Sequence, residues 1–186
     1  KDIYAEKALS LTIVDGRRMV EAARKYRRVF QVGSQQRSQA VNRLSCEYIR
    51  SGKLGTIKEV MGCNYPSPWE CDFPAQPVPD GLDWDLWCGP APLRPFNGVA
   101  DLSNPWRGAI HPRGFRNYLD YANGTLGDWG IHWMDQILWV TGQQWPRKIA
   151  SFGGRPIKGQ PLLTATHQTS DAPDHQVATF EVDGFT

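Results

Sequence analysis

The opening 33 residues constrain the fold most. Asp2-Ile3-Tyr4-Ala5 reads as the end of a buried strand. Residues 12–28 read as a helix, and Val29-Phe30-Gln31-Val32, closed by Gly33, as a second strand. Ile13, Gly16, Val20, Ala23 and Tyr26 recur at helical intervals, and Thr12 with Asp15 has the spacing of a capping box. Strand, helix and strand in so short a stretch is the rhythm of a doubly wound α/β sheet.

Further along, the spacing predicts a helix over 38–51, with Val41, Leu44, Tyr48 and Ile49 on one side and Gly52 near its stop. Residues 56–65 partly alternate and read as a strand. From Pro66 to about Asn123 Pro, Gly, Trp and Asp crowd together, with turn signals at Pro79-Asp80-Gly81 and Gly89-Pro90-Ala91-Pro92. A tract that long without regular structure is functional or disordered. Its tryptophans argue against disorder, which is aromatic-poor. A third helix fits 126–141, ending at Gly142. Strands are predicted over 147–152 and 175–182, the latter with Val177 and Thr179 facing out against Ala178, Phe180 and Val182.

Charge narrows the function classes. The net charge is +2 and the pI about 8.4, too mild to point to nucleic acid. Arg17, Arg18, Arg24, Lys25, Arg27 and Arg28 on the first helix read as a solvated face. No apolar run of 18 residues exists, so no membrane-spanning helix is expected. Cys46, Cys63, Cys71 and Cys88 include no C-x-x-C pair, which disfavours a zinc knuckle or a dithiol redox motif. Free thiols in a reducing, cytoplasmic setting are the expectation, although a chain opening at Lys1 leaves a processed leader possible.

Two clusters have the residue types for chemistry. Glu6-Lys7 follows the first strand, and in an open α/β sheet ligands bind at the carboxyl ends of strands. A lysine there can stabilise a developing alkoxide, or simply be a surface residue. In Gly124-Thr125-Leu126-Gly127-Asp128-Trp129-Gly130-Ile131-His132, the i,i+4 spacing puts Asp128 and His132 on one helical face, with Asp135 three residues on. The carboxylate can hydrogen-bond the imidazole and raise its basicity. Helix capping by Asp128 and a satisfied core histidine are the structural alternatives. Asp, His and Asp on one face also resemble metal ligands, but no second cluster adds a further ligand, so no metal is expected. Of the eight tryptophans, whose apolar faces suit sugar rings, Trp106 beside Arg107 is the leading candidate for binding.

Four segments, in order along the chain, together resemble the Gfo/Idh/MocA family, named for glucose–fructose oxidoreductase and inositol dehydrogenase. Tyr4-Ala5-Glu6-Lys7 with Leu9-Ser10-Leu11-Thr12 is similar to that family's Glu-Lys-Pro segment and following helix. Val32-Gly33-Ser34-Gln35-Gln36-Arg37 resembles its last dinucleotide-domain strand and crossover. The run from Gly81 to Pro92 is close to a segment common in one large subgroup, and Asp128-x-x-x-His132 with Asp135 matches the family's Asp-x-x-x-His helix.

The resemblance implies that residues 1–35 are the C-terminal end of a Rossmann dinucleotide-binding domain, an α/β remnant of a doubly wound sheet. Residues 36–186 would be a substrate-binding and oligomerisation domain, α+β with an open, mainly antiparallel sheet, incomplete at its C-terminus. It implies NAD or NADP as cofactor, hydride transfer to or from a sugar, polyol or related compound, and a homo-oligomer formed through the open sheet. By resemblance Lys7, Asp128 and His132 are catalytic. Glu6, Lys7, Gln35 and Arg37 lie at the cofactor, and Trp106, Arg107, Asp128 and His132 at the substrate. Ala8 stands where the family has proline, and no G-x-G-x-x-G occurs in the chain. The expectation is therefore a fragment of a longer protein, inactive by itself. Two other functions stay open: an NAD-dependent glycoside hydrolase of the same superfamily, and a non-catalytic carbohydrate-binding or oligomerisation fragment.

Overall fold

The computed structural model describes residues 1–64, 72–98, 114–155, 164–173 and 175–184. The chain divides into two compact units. The first comprises 1–62, 128–149 and 180–186; the second comprises 63–127 and 150–179.

The first unit begins with strand β1 (Ile3–Glu6), helix α1 (Ile13–Lys25) and strand β2 (Phe30–Gly33). The strands pair in parallel, Ile3 opposite Phe30 and Glu6 opposite Gly33, as the strand–helix–strand rhythm predicts. The capping box forms: the Asp15 amide donates to Thr12 Oγ1 at 3.1 Å, and the Thr12 hydroxyl donates to the Asp15 carboxylate at 2.7 Å. The basic residues of α1 face solvent, with weak ion pairs between Arg17 and Glu21 and between Arg18 and Asp15. Its apolar positions Ile13 and Val14 are exposed too, as are Ile3 and Tyr4 of β1. Parallel strands are ordinarily covered on both faces.

A short 3₁₀ turn (Gln35–Ser38) leads into helix α2 (Ala40–Arg50), which packs on helix α4 (Ile131–Thr141). The Cys46 thiol and the Arg50 guanidinium both reach the Trp139 carbonyl, at 3.5 and 3.2 Å. The strand expected over 56–65 does not form. Residues 56–64 are irregular, and no described strand offers them a ladder. Their path is set instead by packing on α4: a Cβ on Gly62 would stand 2.8 Å from Trp133 Cγ.

The second unit holds the described part of 66–123, which is mostly loops and turns with three short elements among them, as the loop reading expects. Its core is aromatic: Phe73, Trp84, Cys88, Phe96 and Tyr118 are buried, with Trp87, Phe115 and Tyr121 packed around them. Helix α3 (Trp84–Cys88) is capped by Asp83, whose carboxylate accepts from the Leu86 amide at 2.8 Å. Trp84 and Trp87 stack at 4.5 Å, and the Trp84 indole donates to the Arg94 carbonyl at 2.8 Å. Arg94, 5% exposed, binds the carboxylates of Asp120 and Asp171 at 2.7 and 3.0 Å and lies over the Tyr118 ring. Burial beside Cys88 pushes the Tyr121 phenol well above its ordinary range. Strand β3 (Asp72–Pro74) pairs antiparallel with β5 (His167–Thr169).

Strands β4 (Lys148–Gly154) and β6 (His175–Glu181) form a further pair. Arg147 meets Glu181 at one end and Gly153 meets His175 at the other, so the two run antiparallel. The alternation expected in β6 is present, Val177 and Thr179 out and Ala178 and Phe180 partly covered. The chain is thus a small α/β fold with short antiparallel sheets. The single open sheet expected is, among the described residues, divided into separate two-stranded pairs. No described helix is long and apolar enough to cross a membrane.

Candidate active site

Lys7 stands one residue beyond β1, where the strand delivers its chain to the carboxyl edge of the parallel pair. Its ammonium donates to Asp128 twice, to Oδ1 at 2.5 Å and to the backbone carbonyl at 2.8 Å. The side chains are 19% and 10% exposed, so water screens this ion pair little. The carboxylate at 128 therefore holds the lysine across 121 residues of sequence.

Asp128 lies in a π-helical turn, Leu126–Gly130, that runs into α4. The wider turn re-aims the side chains it carries, and such turns recur at functional sites. At Gly127 a Cβ would overlap the Asn123 side chain. The Leu126 amide at the start of the turn donates to Gln176 Oε1 at 3.2 Å.

His132, in the first turn of α4, is 6% exposed. Its ring stands edge-on to Trp129 at 5.6 Å. Burial depresses its pKa below the ordinary histidine value. The Lys7 ammonium adds to the effect, while Asp128 and Asp135 pull the other way and lose. The sequence reading gave His132 a carboxylate partner that raises its basicity. Instead Asp128 is engaged by Lys7 and acts on the imidazole through its charge, and desolvation decides the sign. The result is a neutral imidazole at pH 7, able to accept a proton.

Asp135 receives Arg37 in a bidentate pair, Nε at 2.8 and 3.0 Å and the terminal nitrogen at 2.9 Å. The same guanidinium lies 5.2 Å over the Trp139 ring, and the carboxylate raises its pKa. Neither this pair nor the Lys7–Asp128 pair has any local sequence signal, because each joins segments about a hundred residues apart. Among the described residues no group of three His, Cys, Asp or Glu side chains is placed to hold a metal.

The remaining candidates are distributed differently. Glu6, the last residue of β1, lies against Gly33 so closely that a Cβ there would come 2.9 Å from Glu6 Oε2. Gln35 is exposed at the start of the 3₁₀ turn after β2. Glu6 therefore ends one parallel strand, and Gln35 follows the carboxyl end of the other. Trp106 and Arg107 lie outside the described residues. Trp129, 37% exposed beside His132, is an aromatic neighbour that the sequence reading did not single out for binding.

Residues 47–150 match the family model described as the C-terminal alpha/beta domain of the Gfo/Idh/MocA oxidoreductases. The stretch covers more than half the chain and includes Asp128, His132 and Asp135. The chain belongs to the Gfo/Idh/MocA oxidoreductase family. No curated protein matches the sequence. The short antiparallel pairs are consistent with such a C-terminal alpha/beta domain, and the family makes an oxidoreductase the general class.

Proposed function

We propose that the protein is a nicotinamide-dependent oxidoreductase that interconverts a hydroxyl and a ketone on a sugar, polyol or related compound. The observation that carries this reading is the meeting of three groups. A lysine at the end of a parallel strand is ion-paired to Asp128, in the turn that leads to a buried, neutral His132. Catalysis of hydride transfer needs a proton acceptor of near-neutral pKa and a fixed positive charge beside the reacting oxygen. His132 supplies the first and Lys7 the second.

The residues present suit the reactive end of the cofactor. Glu6 ends β1, and Lys7 and Gln35 follow the carboxyl ends of β1 and β2, where dinucleotides bind in such sheets; the close approach at Gly33 leaves that edge compact. No glycine-rich phosphate loop is in this sequence, so these residues fit the nicotinamide half and not the pyrophosphate. A bound nicotinamide, NAD or NADP, supplies the hydride acceptor. The protein's part is then to prepare the hydroxyl. His132 takes its proton, Lys7 steadies the oxygen as charge develops, and Asp128 keeps the ammonium aimed. Trp129, 37% exposed, offers an apolar face suited to the C–H side of a sugar ring; Trp106 and Arg107 are proposed to complete the substrate side.

Residues 1–35 are proposed as the last strand–helix–strand of a Rossmann domain, and 36–186 as the substrate and oligomerisation domain. The uncovered apolar positions of β1 and α1 support the first assignment, since further strands and helices of such a sheet would bury them. Exposed Ile149 and Phe152 on β4 support a homo-oligomer through the sheet. Free Cys46, Cys63 and Cys88 accord with a cytoplasmic site.

The test is product analysis with the full-length protein on a panel of sugars, polyols and glycosides. Deuterium moving from the substrate carbon to the nicotinamide, with a ketone formed in equal amount, supports the reading. Free sugar released from a glycoside with no net reduction of cofactor would assign the protein to the NAD-dependent hydrolases instead. Saccharide binding with neither product would leave a carbohydrate-binding fold.

A further inference from the structure

We propose that Arg37 and Asp135 are positioning residues for His132, fixing the helix that carries the imidazole and cancelling a carboxylate charge one helical turn from it. This rests on the role given to His132 above. It also gives Arg37 a task different from the cofactor contact that its place after β2 suggests.

The geometry carries two parts of the claim. Arg37 grips α4 at two successive turns, through the bidentate pair with Asp135 and through the ring of Trp139, four residues on. The turn that bears Arg37 is itself tied down, because Asn42 of α2 donates to the Gln36 carbonyl at 3.0 Å and to Gln36 Oε1 at 2.7 Å. The Trp139 carbonyl is held in turn from Cys46 and Arg50. With two consecutive turns clamped, α4 has neither free rotation nor free slip, and His132 lies one turn before Asp135 on the same helix.

The second part concerns charge. The groups that bear on the imidazole are Lys7 from the end of β1, Asp128 from the π-helical turn and Asp135 from α4 itself. Arg37 enters through Asp135, with the Cys46 thiol of α2 beside it. Lys7 neutralises Asp128 and Arg37 neutralises Asp135, so both carboxylates that act on His132 are closed in ion pairs. Opening either one leaves an unbalanced charge near the ring. The two members of the Arg37 pair must then act on the ring with opposite signs.

The measurement is the NMR titration of the His132 ring in this chain, its signals assigned by loss in His132→Gln. Arg37→Gln strips the cation from Asp135 and raises the midpoint by about half a pH unit or more. Asp135→Asn leaves the guanidinium unopposed and lowers it by a similar step. The double variant returns close to the wild-type midpoint. If Arg37→Gln does not fold, Arg37→Lys serves in its place. A single ammonium cannot reproduce the fork, so the midpoint moves upward by a smaller step. Unmoved midpoints, or shifts of one sign in both single variants, overturn the proposal. Because the titration requires no turnover, its result stands apart from whether the full-length protein transfers hydride.

Discussion

At His132 two effects compete, and burial wins. Water that would solvate an imidazolium is removed, the Lys7 ammonium repels it, and the attraction of Asp128 and Asp135 is the smaller contribution. The folded pKa therefore lies below the unfolded value of about 6.5, so the unfolded chain binds the proton more readily. Stability from this group is present above about pH 6.5 and is lost as pH falls through the folded pKa. Urea melts at pH 7.5 and 5 check this: His132→Gln should flatten the acid side of the stability profile. Lys7→Ala removes the repelling cation and should raise the His132 midpoint in the same titration. The residue types at this site are legible in sequence, since Glu6-Lys7 follows a strand and Asp128 and His132 share a helical spacing. The pairings are not legible. Lys7 with Asp128 and Arg37 with Asp135 are contacts of the folded chain, and no periodicity encodes a contact across 121 or 98 residues.

At the scale of elements, helical period and capping chemistry proved the most readable signals. Thr12 caps α1 as its spacing predicts, and Gly142 ends α4 in the left-handed conformation, φ 73°. The π-helical turn before α4 was not legible as such, because a five-residue turn is too short to show a period of its own. The strand expected at 56–65 shows the opposite failure: partial alternation was present, but a strand also needs a partner. Gly62 is explained by its neighbour instead. Gly62→Ala drives a methyl into the Trp133 ring, and destabilisation of about 1–3 kcal/mol is expected in denaturant melts, with α4 loosened. At Thr12, an exposed cap, Thr12→Ala should cost about 1 kcal/mol. Strands β3 and β5, three residues each, are too short to carry any pattern of their own.

At the scale of the whole molecule, composition marks 66–123 as unusual, and its aromatics argue for packing over disorder. Trp84, Trp87, Tyr118 and Tyr121 belong to a core in which turns, a five-residue helix and short strands supply the side chains irregularly. Arg94 is the polar centre of that unit, and its loss removes the cation that the part-buried carboxylates of Asp120 and Asp171 share. Arg94→Met is expected to destabilise it by about 3–5 kcal/mol, read as a fall in the urea midpoint, while replacing all three charges together should cost less. The first unit shows the reverse condition, apolar side chains of β1 and α1 exposed on an otherwise well-formed parallel pair. The central claim is that Lys7 and His132 prepare a hydroxyl for hydride transfer. It is tested most directly by nicotinamide-linked turnover of a sugar or polyol by the full-length protein, in wild type, Lys7→Ala and His132→Ala. The predicted result is loss on the order of 10²–10⁴-fold in His132→Ala and about 10²-fold or more in Lys7→Ala, with folding retained. Turnover that persists unchanged in both variants contradicts the assignment.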